Sequence, residues 1–191
     1  EAPPLLTIDP SALLFNQLAS QLGSSIAVVS NPNLPENDRP RLQVSTGESL
    51  ILIGGNINPT NDATGSVLIF AGQLFAPGGR IELGGLNSEG TVELVKNNSH
   101  WQTHFPTNFP RSSVILQNQA QLNVRSSGGG DIAIYANNFD LLSDSKLRAG
   151  IVSGLGSADT QAGDITIDAL NPIQLTENSF ISNAILDSAQ G

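Results

Sequence analysis

The chain contains no cysteine. Disulfides, thiolate metal sites and a cysteine nucleophile are therefore excluded. Methionine is absent too, so a fragment or a processed product is expected. Only 13% of residues are charged and 5% aromatic. No apolar run approaches the roughly 18 residues of a membrane span. The opening Glu1-Ala2-Pro3-Pro4 has no signal-peptide character. Positive charge is scarce: eight basic residues stand at positions 39, 41, 80, 96, 111, 125, 146 and 148, against a net charge of −9. Scattered in this way they form no basic stripe along the sequence. Nucleic acid and anionic membrane surfaces are therefore not expected partners.

What remains is rich in uncharged polar residues, with 19 Gly, 11 Pro and a 39% hydrophobic fraction. That fraction separates the chain from disordered sequences, which lack apolar residues. Its 191 residues suffice for one domain with a real core.

Internal self-similarity is the most informative feature. Ser49-Leu50-Ile51-Leu52, Arg80-Ile81-Glu82-Leu83, Asp131-Ile132-Ala133-Ile134 and Asp164-Ile165-Thr166-Ile167 share one x-apolar-x-apolar form. This is the period-2 signature of a strand with one buried face. Leu50 to Ile81 spans 31 residues, Ile81 to Ile132 spans 51, and Ile132 to Ile165 spans 33. The middle interval holds the Pro- and Asn-rich stretch Lys96–Arg111, and without those 16 residues it becomes 35.

Further strands recur within each period, at Phe139–Leu142 and Lys146–Ala149, then at Ile173–Leu175 and Phe180–Ser182. At a shift of 33, Leu142 falls on Leu175, Leu147 on Phe180 and Asn138 on Asn171. Each unit thus reads as three short strands, one coil of a three-sided parallel β-helix. One coil cannot bury its apolar face alone, and stacked coils pair through backbone hydrogen bonds about 4.8 Å apart. Ile81, Ile132 and Ile165 form one internal ladder, and Leu83, Ile134 and Ile167 the next. Glu82, Ala133 and Thr166 are expected to face solvent. A β-sandwich would show turns every 8–12 residues or so without a long repeat. A propeller blade is longer and carries aromatic signatures.

The expectation is therefore a single β-helix segment over 1–191, with regular coils over 47–191 and irregular structure over 1–46. In the latter, Leu5–Ile8 and Ile26–Val29 look like strands. Asp9 can cap a helix, Pro10 suits its first position, and Leu14, Leu18 and Leu22 recur at i, i+4. A short helix over Ser11–Leu22 follows, stopped at Gly23. Asn31–Pro40, Pro59–Gly65, Lys96–Arg111 and Ser153–Gly163 read as loops.

Four stretches carry a resemblance. They are Pro10-Ser11-Ala12-Leu13-Leu14-Phe15-Asn16-Gln17, then Gly47-Glu48-Ser49-Leu50-Ile51-Leu52-Ile53-Gly54-Gly55, then Leu74-Phe75-Ala76-Pro77-Gly78-Gly79-Arg80-Ile81-Glu82-Leu83-Gly84-Gly85-Leu86, and Gly128-Gly129-Gly130-Asp131-Ile132-Ala133-Ile134. The third is the most specific. In these the chain resembles the filamentous haemagglutinin-like exoproteins of two-partner secretion, in their cyanobacterial form. The resemblance implies a secreted, right-handed parallel β-helix at the cell surface or released from it. It also implies an Omp85-type outer-membrane transporter as partner, acting through an N-terminal secretion domain that would precede this segment. Asn31-Pro32-Asn33-Leu34 echoes a motif of that domain, but the following Pro35-Glu36-Asn37-Asp38 does not, and the stretch reads as a turn. The family brings no catalytic residues.

Candidate ligand-binding residues gather in the long excursion: His100, Trp101, His104 and Phe105, with Phe109 nearby. An i, i+4 His pair on a helix can bind zinc. Here no carboxylate or Cys stands at the usual spacing, Pro106 and Pro110 oppose a helix, and two solvated loop histidines are expected. Trp101, Phe105 and Phe109 could form a platform for a sugar, or fold down onto the coils. Asp131 and Asp164 stack one coil apart and read as exposed turn residues more readily than as a cation site. Gly128-Gly129-Gly130 lacks the Gly-Lys-Ser/Thr and helix of a phosphate loop. No metal or cofactor is expected.

The expected role is mechanical: a structural rod segment displaying an adhesive surface for cells or matrix, toward carbohydrate or protein. Two alternatives stand beside it. One is a carbohydrate-active β-helix, which needs convergent acids. The other is a passive spacer carrying an effector domain.

Overall fold

The computed structural model describes residues 11–15, 26–54, 66–97, 100–107 and 109–186. Strand β1 (Ala12–Phe15) comes first. A cycle of three strands follows, β2 (Ile26–Val29), β3 (Arg41–Gln43) and β4 (Ser49–Gly54). The next cycle is β5 (Ser66–Phe70), β6 (Gln73–Phe75) and β7 (Arg80–Gly85). The chain then departs through β8 (Gly90–Asn97) and β9 (His100–His104). It returns for β10 (Ser113–Gln117), β11 (Gln121–Asn123) and β12 (Asp131–Ala136). A fourth cycle holds β13 (Phe139–Leu141), β14 (Lys146–Ile151) and β15 (Ile165–Ala169). A fifth begins with β16 (Ile173–Leu175) and β17 (Phe180–Ile185).

Each position in the cycle builds its own parallel sheet. The first sheet runs β2-β5-β10-β13-β16, the second β3-β6-β11-β14-β17 and the third β4-β7-β12-β15. The chain visits the three sheets in the same order every time, so each cycle stacks on the one before. The fold is all-β, with the parallel sheets of a coiled, solenoid-like stack.

The alternating pattern explains the core. Leu50, Ile81, Ile132 and Ile165 lie in register, as do Leu52, Leu83, Ile134 and Ile167. The second sheet adds Leu42, Leu74, Leu122, Leu147 and Ile181. In the middle cycles these side chains are almost wholly buried, and they meet in one core cluster. Burying each such side chain contributes about 2 kcal/mol. Between the first two sheets the chain turns through left-handed residues at stacked sites: Asn118 and Gln119, Ser143 and Asp144, Glu177 and Asn178. Asn, Asp and Ser tolerate this region through local hydrogen bonding. Ser145, buried behind the turn, donates to Leu142 O and accepts from Ala120 N, joining adjacent coils.

Four expectations are corrected. Ala12–Phe15 is a strand, not the start of a helix, and it pairs antiparallel with β8. Leu13 packs inward while Leu14 is 74% exposed, a period of two in place of 3.6. The rest of the predicted helix, with Leu5–Ile8 and the Pro59–Gly65 loop, lies outside the described residues. Lys96–Arg111 is no loop at its start: β8 and β9 form an antiparallel hairpin. Glu82 and Ala133 are not solvent-facing, since both are fully buried beneath that hairpin's side of the molecule, and only Thr166 is exposed.

The fourth correction concerns register. Ala136 pairs with Ala169, a shift of 33, but Phe139 pairs with Ile173, a shift of 34. One extra residue is taken up in the corner Leu170–Pro172. Leu175 therefore stacks on Leu141 and Ile181 on Leu147. The amide ladder joins Asn171 Nδ2 to Asn137 Oδ1 at 2.7 Å, not to Asn138.

Gly150 shows how closely coils approach. Its φ is +108°, and a Cβ there would lie 2.0 Å from Ala184 O. Gly150→Ala is expected to cost about 3 kcal/mol and lower the melting midpoint by several degrees. Thermal unfolding followed by circular dichroism measures this, and parental melting would contradict the close approach.

Candidate functional site

Strand β9 lies across the outer face of the third sheet. Its alternation sends Trp101 and Thr103 toward that sheet, with Phe105 just beyond the strand, while His104 points away and is exposed. Each inward residue meets a different coil. Trp101 N donates to Ser49 Oγ on β4 at 2.9 Å. Thr103 N and Oγ1 both donate to Glu82 Oε2 on β7, each at 2.6 Å. Phe105 stacks on Tyr135 of β12, with ring centroids 4.7 Å apart. Beyond the strand, Arg111 Nη1 reaches Asp168 of β15, 2.8 Å from Oδ1 and 3.0 Å from its carbonyl. The excursion thus crosses four successive coils as a strap.

The electrostatic centre of the strap is Glu82, a fully buried carboxylate. Thr103 satisfies one oxygen, and Arg80 Nε donates to the other at 2.6 Å. Arg80 also reaches Asp131 at 3.1 Å. Burial works against the Arg80 cation, but Glu82 and then Asp131 outweigh it and hold its pKa above the ordinary value. Hydrogen bonds to both oxygens are what make such a buried charge tolerable. Asp131 is thus already paired with a cation, and its Oδ1 accepts from Asp164 N at 2.9 Å.

A cleft of about 390 Å3 opens beside the strap, lined by His104, Phe105, Thr107, Arg111, Tyr135 and Asp168 among others. Phe105 is 6% exposed and forms its floor rather than an open platform. Gly84 makes room for this ring: a Cβ there would lie 2.6 Å from Phe105 Cζ. Arg111 stands 5.8 Å from the centres of both stacked rings. Burial, then the nearby Glu82, push the Tyr135 phenol above its ordinary pKa.

A second groove, about 400 Å3 and mainly apolar, is lined by Leu13, Ser49, Leu50, Ile51, Leu94 and Trp101. Lys96 lies over the Trp101 ring at 5.5 Å. The four candidate residues of the excursion are therefore divided, with Trp101 on the second groove and His104 and Phe105 on the first. His100 is half-buried and its Nδ1 has no hydrogen-bond partner among the described residues. On a strand, an i, i+4 pair is spread over about 13 Å, too far for His100 and His104 to share one ion. Among the described residues no group of three His, Asp or Glu is placed to hold a metal.

Sequence reasoning missed Glu82, Arg111, Tyr135 and Asp168. One signal was available: the outward column beside Glu82 contains Ala133, and the next contains Gly84. Small outward residues on a sheet leave space for something to lie on it.

Three outcomes are expected. Glu82→Gln puts an amide where both neighbours donate hydrogen bonds, and should cost about 3 kcal/mol. Trp101 is the only tryptophan, so its emission should report strap release at lower denaturant than the loss of strand signal. A single coincident transition would contradict a separately latched strap. The chain also has one tyrosine, so phenolate absorbance titrates Tyr135 alone. Its midpoint is expected above 10.0, the ordinary value. The folded form holds this proton more tightly, so the associated stability is present below that ordinary value and lost as pH rises through the raised one. A midpoint at or below the ordinary value would contradict the burial.

Compared with known proteins, the chain matches no family model, no curated protein and no solved structure.

Proposed function

We propose that the chain is a structural segment of a right-handed parallel β-helix rod, belonging to a large exoprotein that is secreted or held at the cell surface. Its work is to extend the rod and to carry displayed surfaces, including the strap, toward cells or matrix. The observation that supports this most is the state of the last cycle. Residues that follow the inward pattern of the core are open there: Ile173 is 47% exposed, Leu175 43% and Ile181 37%. Their counterparts one coil inward, Phe139, Leu141 and Leu147, are fully buried. Among the described residues, β16 and β17 are likewise the end strands of two parallel sheets. An edge of this kind is a template for another coil.

The reading is non-catalytic because the acids nearest the cleft are committed. Glu82 is sealed under Thr103, and Asp168 is held by Arg111. Secretion through an Omp85-type transporter rests on the sequence resemblance alone.

The test is sedimentation of the purified chain over a wide concentration range. End-to-end pairing through the open edge predicts reversible, concentration-dependent association. Ile173→Glu combined with Ile181→Lys should weaken it without loss of strand signal. A strict monomer at high concentration would overturn the extending-rod reading.

A further inference from the structure

We infer that the outer face of the second sheet binds a linear acidic polysaccharide laid along the coil axis. This deepens the display reading by naming a surface and a partner class, and it uses residues remote from the strap.

The basic residues that look scattered in the sequence converge in the fold. Five of the eight, Arg39, Arg41, Arg125, Lys146 and Arg148, lie on or beside the second sheet. Leu42, Leu74, Leu122 and Leu147 point into the core, so their neighbours in each strand point out. The two outward columns read Arg41, Gln73, Gln121, Lys146, Phe180 and Gln43, Phe75, Asn123, Arg148, Ser182. The loop Asn31–Pro40 covers the first column near its middle, where Gln73 Nε2 donates to Glu36 O. The second column remains accessible.

The charges on this face are unbalanced. Lys146 pairs with Glu36 at 3.2 Å. Arg39 is buried against the carbonyls of Pro32 and Leu34 and the side chain of Gln119, none of them acidic. Arg41, Arg125 and Arg148 have no carboxylate partner among the described residues. Burial, and then Arg148 itself, disfavour the Arg125 cation and outweigh the favourable pull of the nearby Glu36. In a chain of net charge −9, an unneutralised arginine group is a local inversion of sign.

Two of the arginines are also held against aromatic rings. Arg41 lies 4.9 Å over the Phe75 ring, and Arg148 lies 5.5 Å over the Phe180 ring. The ring contact holds each guanidinium at the sheet surface, and a guanidinium can meet a carboxylate in bidentate fashion. Between the two stacked pairs sit Asn123 and Arg125, joined through Asn123 Oδ1 at 3.2 Å. Gln43, Asn123 and Ser182 supply the amide and hydroxyl groups that sugar hydroxyls need. From Arg41 to Arg148 is three coil steps, about 14 Å along the stack. Charge separated by that distance and interleaved with neutral polar groups suits a polymer with well-spaced carboxylates. A nucleic acid carries far denser charge than such a polymer.

The experiment uses the whole 191-residue chain. Retention on immobilised polygalacturonate is measured beside neutral dextran and duplex DNA, at low and raised salt. Retention on polygalacturonate alone, weakened by salt, is expected. The triple variant R41Q/R125Q/R148Q should bind at least about tenfold more weakly, with unchanged strand signal and melting. W101A should bind like the parent. No retention would overturn the inference while leaving the rod reading to its own association test. Equal retention on DNA, or binding that survives the arginine changes and is lost in W101A, would overturn it as well.

Discussion

Backbone hydrogen bonds running from one coil to the next hold the molecule together, and they impose a condition on every residue. No coil can satisfy its own strands or bury its own apolar row. Each depends on a neighbour in register, because a slip of one residue would turn the inward row outward. The ladders of Ile81, Ile132 and Ile165, and of Leu74, Leu122 and Leu147, follow from that dependence. So do the left-handed corners and the close approach at Gly150, since stacked coils must turn in the same place.

The strap is a second layer built on this order. Because the coils present their side chains in rows, a strand lying across them meets one partner per coil. Ser49, Glu82, Tyr135 and Asp168 are those partners, on four consecutive strands of one sheet. A carboxylate can be buried at the centre only because Arg80 reaches one of its oxygens and Thr103 the other. The same geometry explains why Phe105 is a floor and not a platform. The ring is needed against Tyr135, and Gly84 leaves the space for it.

Much of the coil architecture was legible because it is written in period two. The four strand openings at Ser49, Arg80, Asp131 and Asp164, and the ladders they imply, recur in the register of the third sheet. The alignment of the later strands went astray by one residue, since a corner can absorb an extra residue at Leu170–Pro172 without any mark in the hydrophobic pattern. Ala12–Phe15 has too few residues for periodicity to separate helix from strand, and its partner β8 lies far away in sequence. The His100–His104 strand hid its alternation because its inward side chains include Thr103, chosen for Glu82 and not for hydrophobicity. The site suffered most for this reason. Arg111, Asp168 and Glu82 come from three separate coils, and nothing in their local sequence links them. The arginine face was invisible for the same cause: residues 41, 125 and 148 become neighbours only once coils stack.

The stacking register is the claim from which the strap, the open edge and the arginine face all derive. Asp140 and Gln174 test it directly, because they are register partners on the outside of the first sheet, with a sequence shift of 34. The chain contains no cysteine, so a Cys pair at these two positions reports on itself alone. Coil spacing of about 4.8 Å falls within disulfide range. Mild oxidation of the D140C/Q174C variant should give an intramolecular disulfide in the folded chain, raising its melting temperature. A folded variant that stays reduced, or crosslinks only between molecules, would contradict the stacked-coil account.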